Sequence, residues 1–202
     1  MIARNRLPTL ELLAPAGNMD QAMRSLDAGC DALYGGLKSW NARIRAGNFS
    51  VDEYNRLMEV CKRQGVKFYL TLNTLFKDEE LDAVERMFSS AGFTLPDAVI
   101  VADIGLMKML SRNFPALDIH ASTQFGAYSV ADMEFLRRFR VTRVILAREL
   151  TPSEIAKIRA QTDLELEVFV YGSQCVCFSG QCMWSGLTQE RSGNRGTMQR
   201  FL

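Results

Sequence analysis

One histidine, a near-zero net charge and no long apolar run set the first limits on this 202-residue chain. With His120 as its only histidine the chain has no H-E-x-x-H zinc motif, and no G-x-S-x-G nucleophile elbow is present. No stretch approaches the roughly 20 apolar residues of a membrane span. Met1 to Pro8, with Arg4 and Arg6, lacks the apolar centre of a signal peptide. The expected location is therefore the cytoplasm. The net charge of +1 creates no global basic field to advertise nucleic-acid binding, although a local patch is compatible with it. Five cysteines are an odd number, which argues against a complete disulfide framework. No low-complexity linker divides the chain.

Apolar runs and turn signals alternate from end to end. Leu10–Ala14 is expected as a strand closed by Pro15-Ala16-Gly17. Asn18 can cap the helix that follows, with Met19, Ala22, Met23 and Leu26 on one stripe. Further strands are expected at 31–34, 66–72, 98–102, 118–121, 141–147 and 164–171. Ser50 with Glu53, and Thr151-Pro152-Ser153-Glu154, are helix starts, and Gly65 is a helix stop. Such alternation with short connections predicts an α/β fold with a parallel sheet. The strand spacing suits a (β/α) TIM-barrel-like domain with seven strands visible. A Rossmann-type sheet would want G-x-G-x-x-G after the first strand, and the chain reads A-P-A-G-N there. No eighth strand is apparent after Tyr171, so the chain reads as the N-terminal part of a longer protein. Residues 1–171 are expected to form the barrel-like catalytic domain. Residues 172–202 form a cysteine-rich loop and tail at the barrel mouth, continuing the same domain.

In a parallel barrel, function collects at the carboxyl ends of the strands. Those ends carry Asn18, then Asn41, Arg43 and Arg45, then Asn73, Asp103, His120, Ser122, Gln124, and Arg148 with Glu149. Each has a structural reading: Asn18 as a helix cap, Asn73 as a turn residue, Arg148–Glu149 as a surface pair, His120 as a hydrogen-bonded interior histidine. Together they point to a polar cavity at one mouth. Cys30 and Cys61 lie in or beside helix stripes and read as small buried residues.

The remaining cysteines cluster as Cys175-x-Cys177-x4-Cys182, straight after the seventh strand. Zinc sites favour paired C-x2-4-C knuckles or added histidines, and neither occurs. Iron–sulfur clusters accept more varied spacings but usually take four thiolates. Three in eight residues is an incomplete set.

These residues carry a family resemblance. Glu167-Val-Phe169-Val-Tyr171-Gly172-Ser173-Gln174-Cys175, then Gly180-Gln-Cys182-Met-Trp184-Ser185, resembles the signature of the collagenase-like peptidase family U-32. The similarity extends to Leu13–Asn18, Asn41–Ser50, Ala102-Asp103, His120–Gln124, Leu146–Leu150 and Asn194-Arg195-Gly196. Departures are Gln174 and Trp184 at aliphatic positions, Tyr171 where histidine is common, the extra Cys177, and Met198 where a further cysteine usually follows.

The resemblance implies a barrel-like catalytic domain. It also implies a 4Fe–4S cluster with Cys175 and Cys182 as two of its ligands; the extra Cys177, a departure from the family pattern, is a candidate substitute for the cysteine that Met198 replaces. Hydroxylation of tRNA or rRNA bases, or of a small aromatic substrate, is the implied activity, with prephenate as a candidate co-substrate. Arg43, Arg45, His120, Gln124 and Arg148 would then line the mouth and take a small anionic metabolite, a task suited to arginine's bidentate fork. His120 and Glu167, the first residue of the signature, are the catalytic candidates. Two other readings stand beside this one. One is a collagenase-like peptidase, with a Cys175–His120 dyad conceivable. The other is a non-catalytic barrel that has lost its cluster.

Overall fold

Alternating burial turns the sequence pattern into seven short parallel strands, each followed by a turn or helix. In chain order these are β1 (Leu13–Pro15), α1 (Met19–Ala28), β2 (Ala32–Gly35), α2 (Val51–Gln64), β3 (Lys67–Leu72), α3 (Asp78–Phe88) and β4 (Ala98–Val101). There follow α4 (Ile104–Asn113), β5 (Asp118–Ala121), a 3-10 turn at Thr123–Phe125, α5 (Val130–Arg137), β6 (Val141–Ile145), α6 (Pro152–Arg159) and β7 (Glu165–Glu167). The computed structural model describes residues 10–40, 47–172 and 177–179.

All pairings are parallel and run in sequence order from β1 to β7. Among the described residues no pairing joins β7 to β1. The sheet nevertheless curls, because Glu11, just before β1, reaches Arg143 on β6 at 2.5 Å and Tyr69 on β3 at 2.8 Å. The fold is thus a curled, parallel half-barrel. The last expected strand, 164–171, stops at Glu167; Val170 and Tyr171 stand 86% and 96% exposed and pair with nothing in the sheet. The expected 141–147 strand likewise ends at Ile145.

Strand alternation sorts the side chains into two sets. Leu33, Phe68, Leu70, Val99, Ile119 and Val144 face outward and pack under the helices in one large core. Ala32, Tyr69, Ala98, Ile100 and Ile145 face inward in a much smaller cluster. The inner face is therefore left to polar groups. Cys30 and Cys61 sit in the outer core at 2% and 1% exposure, as their helix stripes imply.

The helix starts follow the sequence signals. Ser50, Ser129 and Thr151 each close a reciprocal capping box with the acid three residues on. Caps of this kind contribute about 1 kcal/mol each. In a sheet of this handedness of alternation, every helix N-terminus that follows a strand faces the carboxyl mouth. Those N-termini bring partial positive charge to that end. No helix among the described residues is long and apolar enough to cross a membrane.

Candidate functional site

Polar residues gather in two places, the inner face of the curled sheet and the carboxyl mouth. On the inner face a register shift between Ile119 and His120 adds one residue to β6. The extra residue, Thr142, donates to the Ile119 carbonyl at 3.4 Å. The bulge lets Val141 stay in the outer core while Arg143 turns inward beside its partner His120.

Arg143 is the hub. Its Nη1 donates to Glu11 Oε1 at 2.5 Å and its Nε to Glu165 Oε2 at 2.7 Å, and Nη1 lies 3.6 Å from Glu167 Oε2. The guanidinium also sits 5.3 Å from the centroid of the Tyr69 ring. Burial alone would lower the Arg143 pKa, but the hydrogen bonds to Glu11 and Glu165 outweigh it and hold the side chain fully charged. Burial would raise Glu11, yet donors from Arg143 and Tyr69 pull it below its ordinary value.

His120 packs edge-on to Tyr69 with centroids 4.7 Å apart and is 3% exposed. Burial first, then the Arg143 charge, lowers its pKa to about 3, so it is neutral at pH 7. Burial raises Glu167 to about 7, against the pull of Arg143. Three buried side-chain atoms lack a hydrogen-bond partner among the described residues: Thr71 Oγ1, His120 Nδ1 and Glu167 Oε2. All three belong to inward-facing positions of β3, β5 and β7. Of the three residues, His120 lines a cavity of about 280 Å³, together with Lys67, Tyr69, Asp118, Arg143 and Glu165, and with Asp97 and Thr142. Lys67, Asp118 and Glu165 are the first residues of their strands, so this cavity lies toward the amino ends, away from the carboxyl mouth. His120 therefore lines the opposite end of the barrel from the one its sequence neighbours Ser122 and Gln124 occupy.

At the carboxyl mouth, several expected site residues act as caps. Asn18 Oδ1 accepts from the Gln21 amide at 2.9 Å. Asp103 Oδ1 caps α4 through the Leu106 amide at 2.8 Å, while Oδ2 accepts from the Phe76 amide at 3.2 Å and ties the loop after β3 to the end of β4. Ser122 is 1% exposed and accepts from the Gln124 amide at 3.1 Å. Asn73 and Gln124 are half-buried at the ends of β3 and β5. Gly47 packs against Gly17 and Asn18 at the end of β1. Asn41, Arg43, Arg45, Cys175 and Cys182 lie outside the described residues.

The loop after β7 returns to this same mouth. Ser179 is completely buried; its amide donates to Glu149 Oε1 at 3.0 Å and its hydroxyl to Glu149 Oε2 at 3.1 Å. Arg148 Nε donates to Ser179 Oγ at 3.3 Å. Phe178 meets Tyr128 edge-to-face at 5.7 Å, and Cys177 is half-buried beside it. The structure thus brings Arg148 and Glu149 together with the Cys177–Ser179 segment, over the ends of β5 and β6. Sequence reasoning missed Ser179, Glu11, Tyr69, Arg143 and Glu165. A signal existed for Arg143, a charge inside the apolar run V-T-R-V-I, and for Glu165 and Glu167, which alternate around Leu166.

A curled parallel sheet with a polar inner face, capped mouth loops and a returning cysteine segment defines an α/β half-barrel protein. The sequence profile of Peptidase family U32 matches residues 17–200, and the chain belongs to that family. The resemblance carried by the Glu167–Ser185 stretch is thereby borne out. The chain is 37% identical over 188 residues to the tRNA hydroxylation protein P of Haemophilus influenzae, covering 93% of this chain and 41% of that protein. It is 37% identical over 187 residues to the 23S rRNA 5-hydroxycytidine C2501 synthase of Escherichia coli, covering 93% of this chain and 28% of that enzyme. It is 30% identical over 198 residues to a collagenase of Porphyromonas gingivalis, covering 92% and 47%. The chain spans less than half the length of these relatives. The solved structure of the U32 peptidase Mk0906 shares the fold, with a TM-score of 0.66 over 83% of this chain and 73% of that one, at 13% identity.

Proposed function

We propose that this half-barrel is the part of a cytoplasmic iron–sulfur enzyme that presents a tRNA or rRNA base for hydroxylation. The observation that carries the reading is the seat of the cysteine loop. Through Ser179 it folds onto Glu149 and Arg148 at the carboxyl mouth, the end where parallel barrels do their chemistry. Relatives that match more than nine-tenths of the chain, and are named for tRNA and 23S rRNA hydroxylation, supply the reaction class.

The donor set suits a 4Fe–4S cluster in kind. Thiolates are its usual ligands, and Cys177 lies at the mouth while Cys175 and Cys182 flank it in sequence. Cys30 and Cys61 are enclosed in the outer core and are not available, so the loop supplies three thiolates and a fourth ligand would have to come from another source, the substrate included. When bound, the cluster would supply one-electron chemistry. The chain's own residues bind and orient. Arg148 is exposed, fixed at Nε by Ser179, and its outer guanidinium edge suits a carboxylate of a small anionic metabolite such as prephenate. Gln124 and Asn73 at the neighbouring strand ends add neutral donors and acceptors. Glu167, protonated about half the time near pH 7, is a proton carrier on the inner face.

The peptidase reading rests on the collagenase relative. A cysteine–histidine dyad gains no support from His120, which is enclosed against Tyr69 and, with a pKa near 3, is a weak base at pH 7.

The test is anaerobic purification of the full-length protein, with iron and acid-labile sulfide quantified, alongside mass spectrometry of nucleosides from a strain lacking the gene. Bound iron and sulfide together with a missing hydroxylated nucleoside support the proposal. An unchanged nucleoside profile overturns the RNA reading. Absent iron overturns the cluster and favours a barrel that has lost it. Cleavage of collagen or casein that disappears in Cys175→Ala would replace the proposal with the peptidase reading.

A further inference from the structure

We infer that Glu149 is a positioning residue that locks the Cys177–Ser179 segment onto the ends of β5 and β6, so that the Cys177 thiol is presented in one place. The inference rests on the cluster reading for its chemical purpose, but its geometry stands independently.

Ser179 belongs to a loop and yet is wholly buried. A buried backbone N–H must find an acceptor, and here the acceptor is the Glu149 carboxylate at 3.0 Å. The hydroxyl is also fully used. A serine hydroxyl offers one donor and two lone pairs. The donor goes to Glu149 Oε2 at 3.1 Å, and the lone pairs accept from the Arg148 amide at 3.4 Å and Arg148 Nε at 3.3 Å. One carboxylate thus takes both donors that Ser179 owns. An ordinary exposed ion pair contributes little, but this is a charged acceptor serving a buried backbone amide, the stronger kind of hydrogen bond.

The surface under the segment is shaped for it. Gly126 has φ +78°, and a Cβ there would lie 3.2 Å from the Ser179 carbonyl oxygen and 3.7 Å from the Phe178 ring. Glycine both supplies the left-handed turn after the Thr123–Phe125 helix and leaves room for the segment to rest on it. Phe178 adds the edge-to-face contact with Tyr128. Cys177 is only two residues from the pinned serine, so its Cα is within about 7 Å of it whatever the local conformation. Glu149 therefore acts on the thiol through Ser179, with no contact to a metal of its own.

The experiment uses the full-length protein and compares wild type with Glu149→Ala, Glu149→Gln and Ser179→Ala. Alkylation of Cys177 by N-ethylmaleimide in metal-free protein is followed by peptide mass spectrometry, and iron per chain is measured after anaerobic reconstitution. Losing a carboxylate acceptor is expected to speed Cys177 labelling by about tenfold in Glu149→Ala, equivalent to ~1.4 kcal/mol of opening. Iron retained should fall in parallel. Glu149→Gln keeps one neutral acceptor for the Ser179 amide but loses the charge and the second oxygen, and should fall between wild type and Glu149→Ala. Ser179→Ala, which removes only the hydroxyl, should fall between. The enclosed Cys61 serves as the internal control and should label no faster in any variant. Unchanged Cys177 labelling in Glu149→Ala overturns the inference. So does a parallel rise at Cys61, which would make Glu149 a residue of global stability. Wild-type protein that takes up no iron overturns the cluster reading alone, since the labelling ratios still decide the positioning role.

Discussion

Replacing Glu167 by glutamine is expected to make the chain progressively more stable than wild type as the pH rises from 5 to 8. Burial against the inner face lifts the Glu167 carboxyl to about 7 from a reference value of 4.5. Between those two values the folded chain keeps a proton that the unfolded chain has released. Stability therefore falls as pH rises through that window. At 1.36 kcal/mol per pKa unit the full penalty is on the order of 3 kcal/mol, of which roughly 2.5 kcal/mol develops between pH 5 and 8. His120 works in the other direction. Its pKa is lowered to about 3 from 6.5, so the unfolded chain binds more protons between those values and stability rises with pH there. The two slopes oppose each other from pH 4.5 to 6.5, and the Glu167 fall stands out above that. Glutamine has nearly the shape of the protonated acid and cannot ionise. Urea unfolding of both proteins, followed by far-UV circular dichroism at a series of pH values, isolates the difference. The variant should gain on wild type by roughly 1 kcal/mol at pH 5 and about 3 kcal/mol at pH 8. Parallel stability curves across that range would show that Glu167 ionises as an ordinary surface acid, and the account of the inner face would fail.

Other substitutions test the neighbouring arguments. His120→Phe keeps the edge-on packing with Tyr69 and removes a histidine that must stay neutral; it should gain about 2 kcal/mol over wild type at pH 5 relative to pH 7.5, read by the same urea titrations. Asp103→Ala removes the cap of α4 and the tie to Phe76 together, and should cost about 1–2 kcal/mol in the denaturation midpoint. Gly126→Ala forces a side chain onto a φ of +78° and against Ser179, and a loss of about 1–2 kcal/mol is expected by thermal unfolding. Cys61, whose thiol burial pushes up to about 12, should resist thiol reagents at pH 8 in the native protein and react on adding urea.

The architecture was legible because its signals are local. The runs at 66–72 and 98–102 and the caps at Ser50 and Thr151 speak through neighbouring residues, and the structure places strands and helices there. The overlong seventh strand shows the limit. Val168-Phe-Val-Tyr171 has strand composition, but among the described residues it has no partner strand, and pairing rather than propensity makes a strand. The mouth residues were located from strand ends, and the cap at Asn18 was readable there too, yet the work of Asp103 and Ser122 as caps emerges only from the helix geometry. The inner network was the least legible. Glu11, Tyr69 and Arg143 come from three distant stretches, and only the curl of the sheet and the bulge at Thr142 aim them at one another. Nothing in the spacing along the chain encodes that convergence.

The order of strands in the sheet has a consequence for how the chain is assembled on the ribosome. Each strand pairs with the one made just before it, so every new strand meets a finished template as it emerges, and early folding needs only short loops. The link from Glu11 to Arg143 is the exception, spanning 132 residues. Joining ends that far apart costs about 4 kcal/mol in loop entropy if the intervening chain is slack. If β1 to β5 are already stacked, that span is no longer slack. Glu11 can meet Arg143 only once β6 has been made, and that bond ties the start of the sheet to its sixth strand.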